Sequence, residues 1–310
     1  MKQVTVLIPC YNEEKSLPLL HEQLCAVMDS LSHYTWQVLL VNDGSRDNTL
    51  AVARELRTKD ERICFIDLSR NFGKERAMLA GFDHAKGDCM VIMDADLQHP
   101  PTVIPEMLKY WEEGYDDVYA RRNSRGKESW LRRKLSLTYY KLLQKASNTD
   151  VLQNVGDFRL LDRKCIDAIT QMRECERYTK GLFSWIGFRK KEITFDQKDR
   201  IAGESSFNIF KLFSLAIQGI TSFTTAPLKM ATLLGFIVSI AAFIYMCYVL
   251  VKTIICGDPV QGYPTLVILI LFLGGVQLVS LGIIGEYLGR IFNETKGRPV
   301  YFIREKEGID

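Results

Sequence analysis

The chain lacks the sequence marks of several common classes of binding site. Its eight cysteines include no C-x-x-C pair and only four histidines are present, which argues against a zinc site. No G-x-G-x-x-G follows the first apolar run and no G-x-x-x-x-G-K-[ST] occurs, so dinucleotide binding and P-loop binding lose support. A formal net charge of +3 gives no overall signature of nucleic-acid binding, and we expect no nucleic-acid partner.

Uncharged runs of membrane-spanning length are absent from the first 205 residues but occur twice near the C-terminus. Residues 230–251 and 264–285 carry no charge, and each run is long enough to cross a bilayer as a helix. A buried helical hairpin is the alternative, but both runs lack the polar face of a globular helix. Basic residues flank the pair, which places both termini in the cytoplasm by the positive-inside rule; they are Lys211, Lys229, Arg290, Lys296 and Arg298.

These features predict four regions along the chain. Residues 1–205 form a cytosolic catalytic domain, and residues 206–227 form an amphipathic helix region on the membrane surface, for which a core helix is the alternative. Residues 228–290 form two transmembrane helices, joined by a short extracytoplasmic loop near 252–263. Residues 291–310 form a cytosolic tail.

The first domain alternates apolar strand-like runs with helix-like segments, which predicts an α/β fold with a mostly parallel, Rossmann-like sheet and right-handed crossovers. The predicted strands are 4–8, 37–41, 63–68 and 89–94, and the predicted helices are 14–31, 47–58, 74–84 and 102–113. Polar residues follow each of these strands, and the carboxyl ends of parallel strands meet at one edge of a sheet. Acidic and amide groups gathered there suit a ribose and base pocket, whereas each loop alone would be read as a turn.

The fourth strand ends in Asp94-Ala-Asp96. Residues two apart on a strand point to the same face, so both carboxylates are expected on one side. Hard oxygen ligands of this kind suit Mg²⁺ or Mn²⁺, which commonly bind through one or two carboxylates plus substrate phosphates. A plain acidic turn at the strand end is the alternative.

Four motifs together resemble glycosyltransferase family 2, which has the GT-A fold. They are Ile8-Pro-x-Tyr-Asn-Glu-Glu14, Asn42-Asp-Gly-Ser-x-Asp47, Asn71-Phe-Gly-Lys-Glu75 and Asp94-Ala-Asp-Leu-Gln98. Further motifs resemble the polyprenyl-phosphate glycosyltransferases, which include dolichol-phosphate mannose synthase, and most nearly the bacterial undecaprenyl-phosphate glucosyltransferases. These are Gly156-Asp-Phe-Arg-Leu160, Arg200-Ile-Ala-Gly-Glu-Ser-Ser206, Phe272-Leu-Gly-Gly-Val-Gln277 and Gly285-Glu-Tyr-Leu-Gly-Arg290.

The resemblance implies roles for matching residues. Asp94, Asp96 and Gln98 would hold Mg²⁺ or Mn²⁺, with Asp96 also counted as catalytic. Asp157 matches the residue usually proposed as the catalytic base, although it could instead orient the sugar or acceptor, or pair structurally with Arg159 or another arginine. The nucleotide-sugar would be bound by Pro9, Tyr11, Glu13, Asp43, Phe72, Lys74 and Asp94.

The acceptor phosphate needs cations, and arginine can bind two phosphate oxygens at once. A basic run extends over 121–134, and Arg200 begins an Arg-x-x-Gly-x-Ser loop. Most residues of a charge run are a solvated face. The expected phosphate ligands are Arg200, Ser205, Arg122 and Arg133.

The resemblance thus implies a multi-pass enzyme of the bacterial cytoplasmic membrane. It would transfer a hexose, with glucose first, from a UDP-sugar to undecaprenyl phosphate with inversion, giving a lipid-linked sugar for cell-envelope polysaccharide modification. A homo-oligomer is expected. The alternatives are another donor sugar (N-acetylhexosamine, aminoarabinose or mannose), a processive synthase, and a non-catalytic membrane scaffold. The chain lacks the Gln-x-x-Arg-Trp motif of processive synthases.

Overall fold

A computed structural model describes residues 1–122, 155–175, 177–196, 226–256 and 262–309. The chain divides into two compact units, one of residues 1–212 with 299–310 and the other of residues 213–298. The region 206–225, where a membrane-surface helix is predicted, lies outside the described residues.

The first unit is built on a sheet whose described strands follow the order β7-β5-β6-β4-β1-β2-β3-β8. Strands β4, β1, β2 and β3 are parallel, whereas β6 is antiparallel to β4 and β5, and β8 is antiparallel to β3. The strands are β1 (Gln3–Cys10), β2 (Thr35–Asn42), β3 (Ile63–Leu68), β4 (Cys89–Ile92), β5 (Asp117–Arg122), β6 (Val155–Asp162), β7 (Lys190–Phe195) and β8 (Ile303–Glu307).

Helices cover both faces of this sheet, because successive residues of the parallel strands bury their side chains on opposite sides. On β1, Val4, Val6 and Ile8 enter one hydrophobic cluster, whereas Leu7 enters the other. The helices are α1 (Ser16–Ser30), α2 (Thr49–Lys59), α3 (Lys74–His84), α4 (Ile104–Glu112), α5 (Arg163–Gln171) and α6 (Thr179–Trp185). This is the mixed, mostly parallel α/β sheet that the sequence predicts.

The end of β4 differs from the prediction. The strand was expected to reach Asp94 but ends at Ile92. The backbone N–H of Met93 still donates to Leu7 O at 3.1 Å, whereas the N–H of Asp94 donates to His99 Nδ1 at 3.0 Å. A side chain from the following turn has therefore replaced the sheet as the partner of Asp94.

Strand β8 was not predicted. It lies in the tail and pairs with β3 in the register Phe65↔Glu307, Ile66↔Lys306 and Asp67↔Glu305. Its sequence, Ile-Arg-Glu-Lys-Glu, is almost wholly charged. Such a strand is typical of a sheet edge, where charged side chains discourage further pairing, and it shows no apolar alternation that would reveal it.

The second unit contains two long helices that contact each other, α7 (Ala226–Cys256) and α8 (Tyr263–Thr295). Among the described residues, one segment is long and apolar enough to span a bilayer, Phe272–Thr295, with a mean hydropathy of 1.4. Ala231–Tyr245, inside α7, is a shorter apolar stretch. One candidate span is therefore found, and the two-span arrangement stays a prediction.

Candidate active site

The turn after β4 gathers the three predicted metal ligands, Asp94, Asp96 and Gln98. The N–H of Gln98 donates to Asp96 Oδ1 at 3.1 Å, which closes the turn on itself. Leu97 adopts a positive φ of 62°, a conformation that side-chain-bearing residues rarely adopt. Such backbone strain persists only where the surroundings enforce it, and it clusters at functional sites.

Lys74, the first residue of α3, joins this turn to β6. Its ammonium donates to Asp94 Oδ1 at 2.5 Å and to Asp157 Oδ2 at 2.6 Å. The Lys74 side chain is 41 % exposed, whereas that of Asp157 is 8 % exposed. One cation thus bridges the first D-x-D carboxylate and the residue predicted to be catalytic.

Asp157 does not pair with Arg159, which was the structural alternative raised from the sequence. The Arg159 guanidinium instead donates to Asp117 Oδ2 at 3.0 Å, and both side chains are buried. It also stacks over the ring of Phe183, with its central carbon 3.8 Å from the ring centroid. The second oxygen of Asp157, Oδ1, is buried and has no hydrogen-bond partner among the described residues. Within the part of the chain that the structure describes, Oδ1 is therefore an acceptor without a donor.

The bridge fixes the charge of these groups. Burial acts to raise the pKa of Asp157, but Lys74, then Lys180 and Arg159, outweigh it and hold the pKa well below its usual range. Burial likewise acts to lower the pKa of Lys74, but Asp94 and Asp157 hold that pKa well above its usual range. Burial acts to raise the pKa of Asp94, but the Lys74 ammonium outweighs it and the pKa is lowered. All three groups are therefore charged near neutral pH.

The loops after β1 and β2 are joined by hydrogen bonds. Asn12, at a positive φ of 59°, donates its N–H to Ser45 Oγ at 2.9 Å and accepts the N–H of Arg46 at Oδ1, also at 2.9 Å. Glu13 donates its N–H to Thr49 Oγ1 at 2.8 Å. Of the predicted nucleotide ligands, Pro9 lies near the end of β1, and Tyr11 follows on this loop, where its side chain is 42 % exposed. The hydrogen-bonded loop therefore presents an aromatic ring to solvent.

Asp43 is buried at the end of β2 and binds protein backbone. Its Oδ1 accepts the N–H of Phe72 at 2.7 Å, and its Oδ2 accepts the N–H of Gly73 at 2.9 Å. Burial raises the pKa of Asp43, although these two backbone donors act to lower it. The carboxylate thus holds the loop that leads directly into Lys74. Each oxygen has two lone pairs, so a nucleotide donor can still be accepted.

Two residues near the bridge were not given roles from the sequence. His99 is buried, and its ring stacks on Phe158 with centroids 4.8 Å apart and an interplanar angle of 11°. Burial lowers the pKa of His99, and its Nδ1 accepts the Asp94 N–H, so the ring is neutral. Lys180, near the start of α6, adds positive charge near Asp157. Only the position of His99, next to the D-x-D turn, could have marked it.

Of the four predicted acceptor-phosphate ligands, only Arg122 lies among the described residues. Arg122 ends β5 and is partly buried. Arg200, Ser205 and Arg133 lie outside the described residues.

A second group of metal-binding residue types lies on α1 and at the end of α2. His21 Nε2 is 3.1 Å from Asp60 Oδ2 and 3.3 Å from Cys25 Sγ. The guanidinium of Arg62, however, donates to Asp60 at 2.9 Å and to Cys25 at 3.4 Å. An arginine already balances the carboxylate there, so this cluster is accounted for within the protein.

The chain is similar in sequence to known glycosyltransferases. The sequence model of glycosyl transferase family 2 matches residues 5–170, and that of the GtrB C-terminal hairpin matches residues 226–291. An uncharacterized glycosyltransferase of Synechocystis is 44 % identical over 99 % of this chain and 96 % of its own length. A prophage bactoprenol glucosyl transferase homolog of Escherichia coli is 41 % identical, over 97 % of this chain and 98 % of its own length.

Among solved structures, glucosyl-3-phosphoglycerate synthase from Mycobacterium tuberculosis, in complex with Mn²⁺, UDP and glucosyl-3-phosphoglycerate, is similar at 16 % identity. The match has a TM-score of 0.47 and covers 71 % of this chain and 77 % of that chain.

Proposed function

The chain belongs to glycosyl transferase family 2, and on that premise we propose that it transfers glucose from UDP-glucose to undecaprenyl phosphate with inversion. The choice of sugar and lipid is supported by near-full-length likeness to a prophage bactoprenol glucosyl transferase homolog. The observation that carries the proposal is the Lys74 bridge between Asp94 and Asp157 at the edge of the sheet. It brings together a D-x-D carboxylate and a buried carboxylate whose second oxygen has no hydrogen-bond donor among the described residues.

The D-x-D turn fits a divalent cation. Asp94, Asp96 and Gln98 offer only oxygen donors, which suit Mg²⁺ or Mn²⁺. Asp94 and Asp157 share the single ammonium of Lys74, so negative charge remains between them, which supports a cation at this turn. A bound divalent metal would neutralise charge on the departing diphosphate. Either metal fits this set of oxygen donors.

We assign the uridine end of the donor to the two hydrogen-bonded loops after β1 and β2, called here the uridine loops. Tyr11 offers an exposed ring for stacking on the base, and Pro9 and Glu13 border it. Asp43 and Phe72 fix the next loop, so that Lys74 is held where a diphosphate would need a cation. These side chains bind and orient the donor, and none of them has to move a proton.

Asp157 acts through charge and orientation in this proposal. In the transfer, an acceptor phosphate oxygen forms a bond to the anomeric carbon while the bond from that carbon to the UDP oxygen breaks, and UDP leaves with the electron pair. A phosphate monoester has a second pKa of about 6 and is largely dianionic at neutral pH, so no base is required. The pKa of Asp157 lies well below its usual range, which makes it a weak proton acceptor. Its buried Oδ1 would accept a hydrogen bond from a hydroxyl group of the donor sugar.

The membrane arrangement is part of the same proposal. The hairpin matched at residues 226–291 would insert as two spans with the catalytic domain in the cytoplasm, preceded by an interfacial region at 206–227. Anchoring confines the enzyme to the surface where its lipid acceptor lies, which raises the local concentration of both. Arg122, with Arg133, Arg200 and Ser205, would bind the acceptor phosphate. Gly274, Gly275, Gly282 and Gly285 leave α8 smooth enough for close packing with another helix, which supports a homo-oligomer.

The test is transfer from a panel of radiolabelled UDP- and GDP-sugars to undecaprenyl phosphate in detergent, with Mg²⁺, Mn²⁺ or EDTA. We expect a lipid product from UDP-glucose that disappears with EDTA. Asp157→Asn is the matched variant, because it keeps the size of the side chain and removes its charge. It should give much less lipid product than the wild type. Product from another donor would replace the sugar, and no product from any donor, with wild-type protein folded, would overturn the proposal.

A further inference from the structure

Strand β8 connects the segment after the hairpin to the carboxyl end of β3. Ser69, just beyond β3, donates its N–H to Phe302 O at 2.9 Å. Arg304 on β8 donates from Nη2 to Ser69 O at 2.6 Å. The residue after β3 is thus held from both its N–H and its carbonyl by the C-terminal strand.

The same guanidinium reaches a buried carboxylate. Arg304 Nη1 lies 3.4 Å from Asp67 Oδ2, and the two side chains are 59 % and 1 % exposed. Asp67 Oδ2 is buried and has no hydrogen-bond partner among the described residues. Burying a carboxylate is costly, and the Arg304 charge lies on the side of Oδ2, whereas the Asn42 amide donates to Oδ1 and the charge of Arg54 acts from further away.

From Asp67 a chain of hydrogen bonds runs to both uridine loops. Asp67 Oδ1 accepts from Asn42 Nδ2 at 2.7 Å. Asn42 Oδ1 in turn accepts the hydroxyl of Ser45 at 2.5 Å. Ser45 Oγ accepts the N–H of Asn12 at 2.9 Å, on the loop that carries Tyr11. Four contacts therefore separate Arg304 from the loop assigned to the base.

A second path reaches the loop that holds Lys74. The ring of Phe302 lies 6.5 Å from that of Phe72, and the guanidinium of Arg70 lies 4.1 Å above the Phe72 ring. Phe72 donates its N–H to Asp43. A Cβ on Gly44 would lie 2.4 Å from the backbone carbon of Arg70, so the two loops are in close contact. Holding Ser69 and Asp67 therefore holds both loops against each other.

We propose that Arg304 is a positioning residue for the nucleotide, and that β8 is a working part of the donor site. This rests on the proposed function for the assignment of the loops to the uridine end. Arg304 touches no substrate. It fixes the end of β3, and through Asp67 and Ser69 it sets the geometry of loops that would otherwise be ordered only when the donor binds. Ordering them in advance removes that cost from binding.

The experiment measures binding of UDP in the presence of Mn²⁺ by calorimetry on the full-length protein in detergent, together with KM for UDP-glucose and for undecaprenyl phosphate. We expect Arg304→Ala to raise the Kd for UDP and the KM for the donor about threefold to tenfold, the size of coupling seen for residues that act at a distance. The KM for undecaprenyl phosphate should stay at the wild-type value. Arg304→Lys should recover part of the loss, because it keeps the charge beside Asp67 but cannot also hold Ser69.

Glu305→Ala is the matched control, since Glu305 is the next residue on β8 and pairs with exposed Arg54. It should leave UDP binding unchanged. Equal Kd values for UDP in Arg304→Ala and Glu305→Ala would overturn the inference, as would an equal rise in both KM values. If the alanine variant fails to fold, Arg304→Lys carries the test, with an expected rise of about twofold to threefold. Wild-type protein that binds UDP but transfers no sugar would remove the proposed function and leave this inference standing on the binding data alone.

Discussion

Lys74 Nζ lies 2.6 Å from Asp157 Oδ2, although the two residues are 83 positions apart in the sequence. The same ammonium is 2.5 Å from Asp94 Oδ1. Two carboxylates thus share one cation, which leaves a net charge of about −1 at the bridge when all three groups are ionised. This remaining negative charge favours the divalent cation proposed at the D-x-D turn, while Lys74 keeps Asp157 ionised.

Replacing Lys74 by methionine should lower kcat/KM by about 10²-fold or more, in the range of losses seen when one charge-stabilising group is removed. With the ammonium gone, Asp94 and Asp157 repel each other, and burial is no longer outweighed, so the pKa of Asp157 rises toward and above its usual range. The folded pKa is depressed in the wild type, so Asp157 loses its charge only in strong acid. In Lys74→Met, activity should fall at a higher pH on the acid side. A pH–rate profile checks this, and Lys74→Arg, which keeps the charge, should retain the wild-type profile.

Asp157→Asn and Asp96→Asn should separate two roles. Asp157→Asn should lower kcat by about 10²-fold to 10³-fold while UDP still binds in the presence of Mn²⁺, because the change removes a charge at the sugar end of the donor. Asp96→Asn should instead weaken the Mn²⁺-dependent binding of UDP. Calorimetry with UDP and single-turnover transfer distinguish these results. If both variants lost UDP binding equally, Asp157 would belong with the metal ligands.

Much of the catalytic sheet could be predicted from the sequence, because β1 to β4 are apolar runs separated by periodic helices. The D-x-D turn was predicted as the end of a strand, and its true form depends on His99, whose ring accepts the Asp94 N–H. No local pattern shows that a histidine five residues on will compete with the sheet. Strand β8 was missed for a related reason, since its charged sequence is stabilised by pairing with β3 and by Arg304 rather than by an apolar face.

The pairing of charges across the site was also beyond sequence reasoning. Arg159 follows Asp157 by two positions on β6 and shares its face, which made a pair between them a fair expectation. In the structure Arg159 forms its ion pair with Asp117 on the neighbouring β5, and Asp157 forms its ion pair with Lys74 on α3. Both pairings depend on the strand order β5-β6-β4, in which β6 lies between two strands that are consecutive in the sequence. The motif resemblance placed Lys74 near the nucleotide but could not connect it to Asp157.

Gly44→Ala should weaken UDP binding by about tenfold or more. Gly44 has a positive φ of 61°, and an added Cβ would lie 2.4 Å from the Arg70 carbonyl carbon and 2.5 Å from the Asn71 nitrogen. The loop after β2 would have to move away from the loop that Asp43 holds, which disturbs both parts of the donor site. Gly297→Ala is the matched comparison, because its φ of 57° is close to that of Gly44 but nothing lies within 4 Å of its added Cβ. Equal losses of UDP binding in the two variants would contradict the contact with Arg70 as the cause.

Arg159→Met should destabilise the catalytic domain by about 3–5 kcal/mol, the usual cost of leaving one member of a buried ion pair without its partner. Asp117 is fully buried, and Arg159 is the cation that lies within 3.0 Å of it. Methionine keeps most of the volume against Phe183 but cannot compensate the carboxylate. Thermal unfolding in detergent measures the change, with Glu305→Ala as the reference, since its exposed pair with Arg54 should contribute no more than about 1 kcal/mol. The double variant Arg159→Met with Asp117→Leu should recover much of the stability, because it removes the stranded charge. If the double variant did not recover stability, Arg159 would stabilise the fold through its stacking on Phe183 and its charge near Asp157, and not through the ion pair.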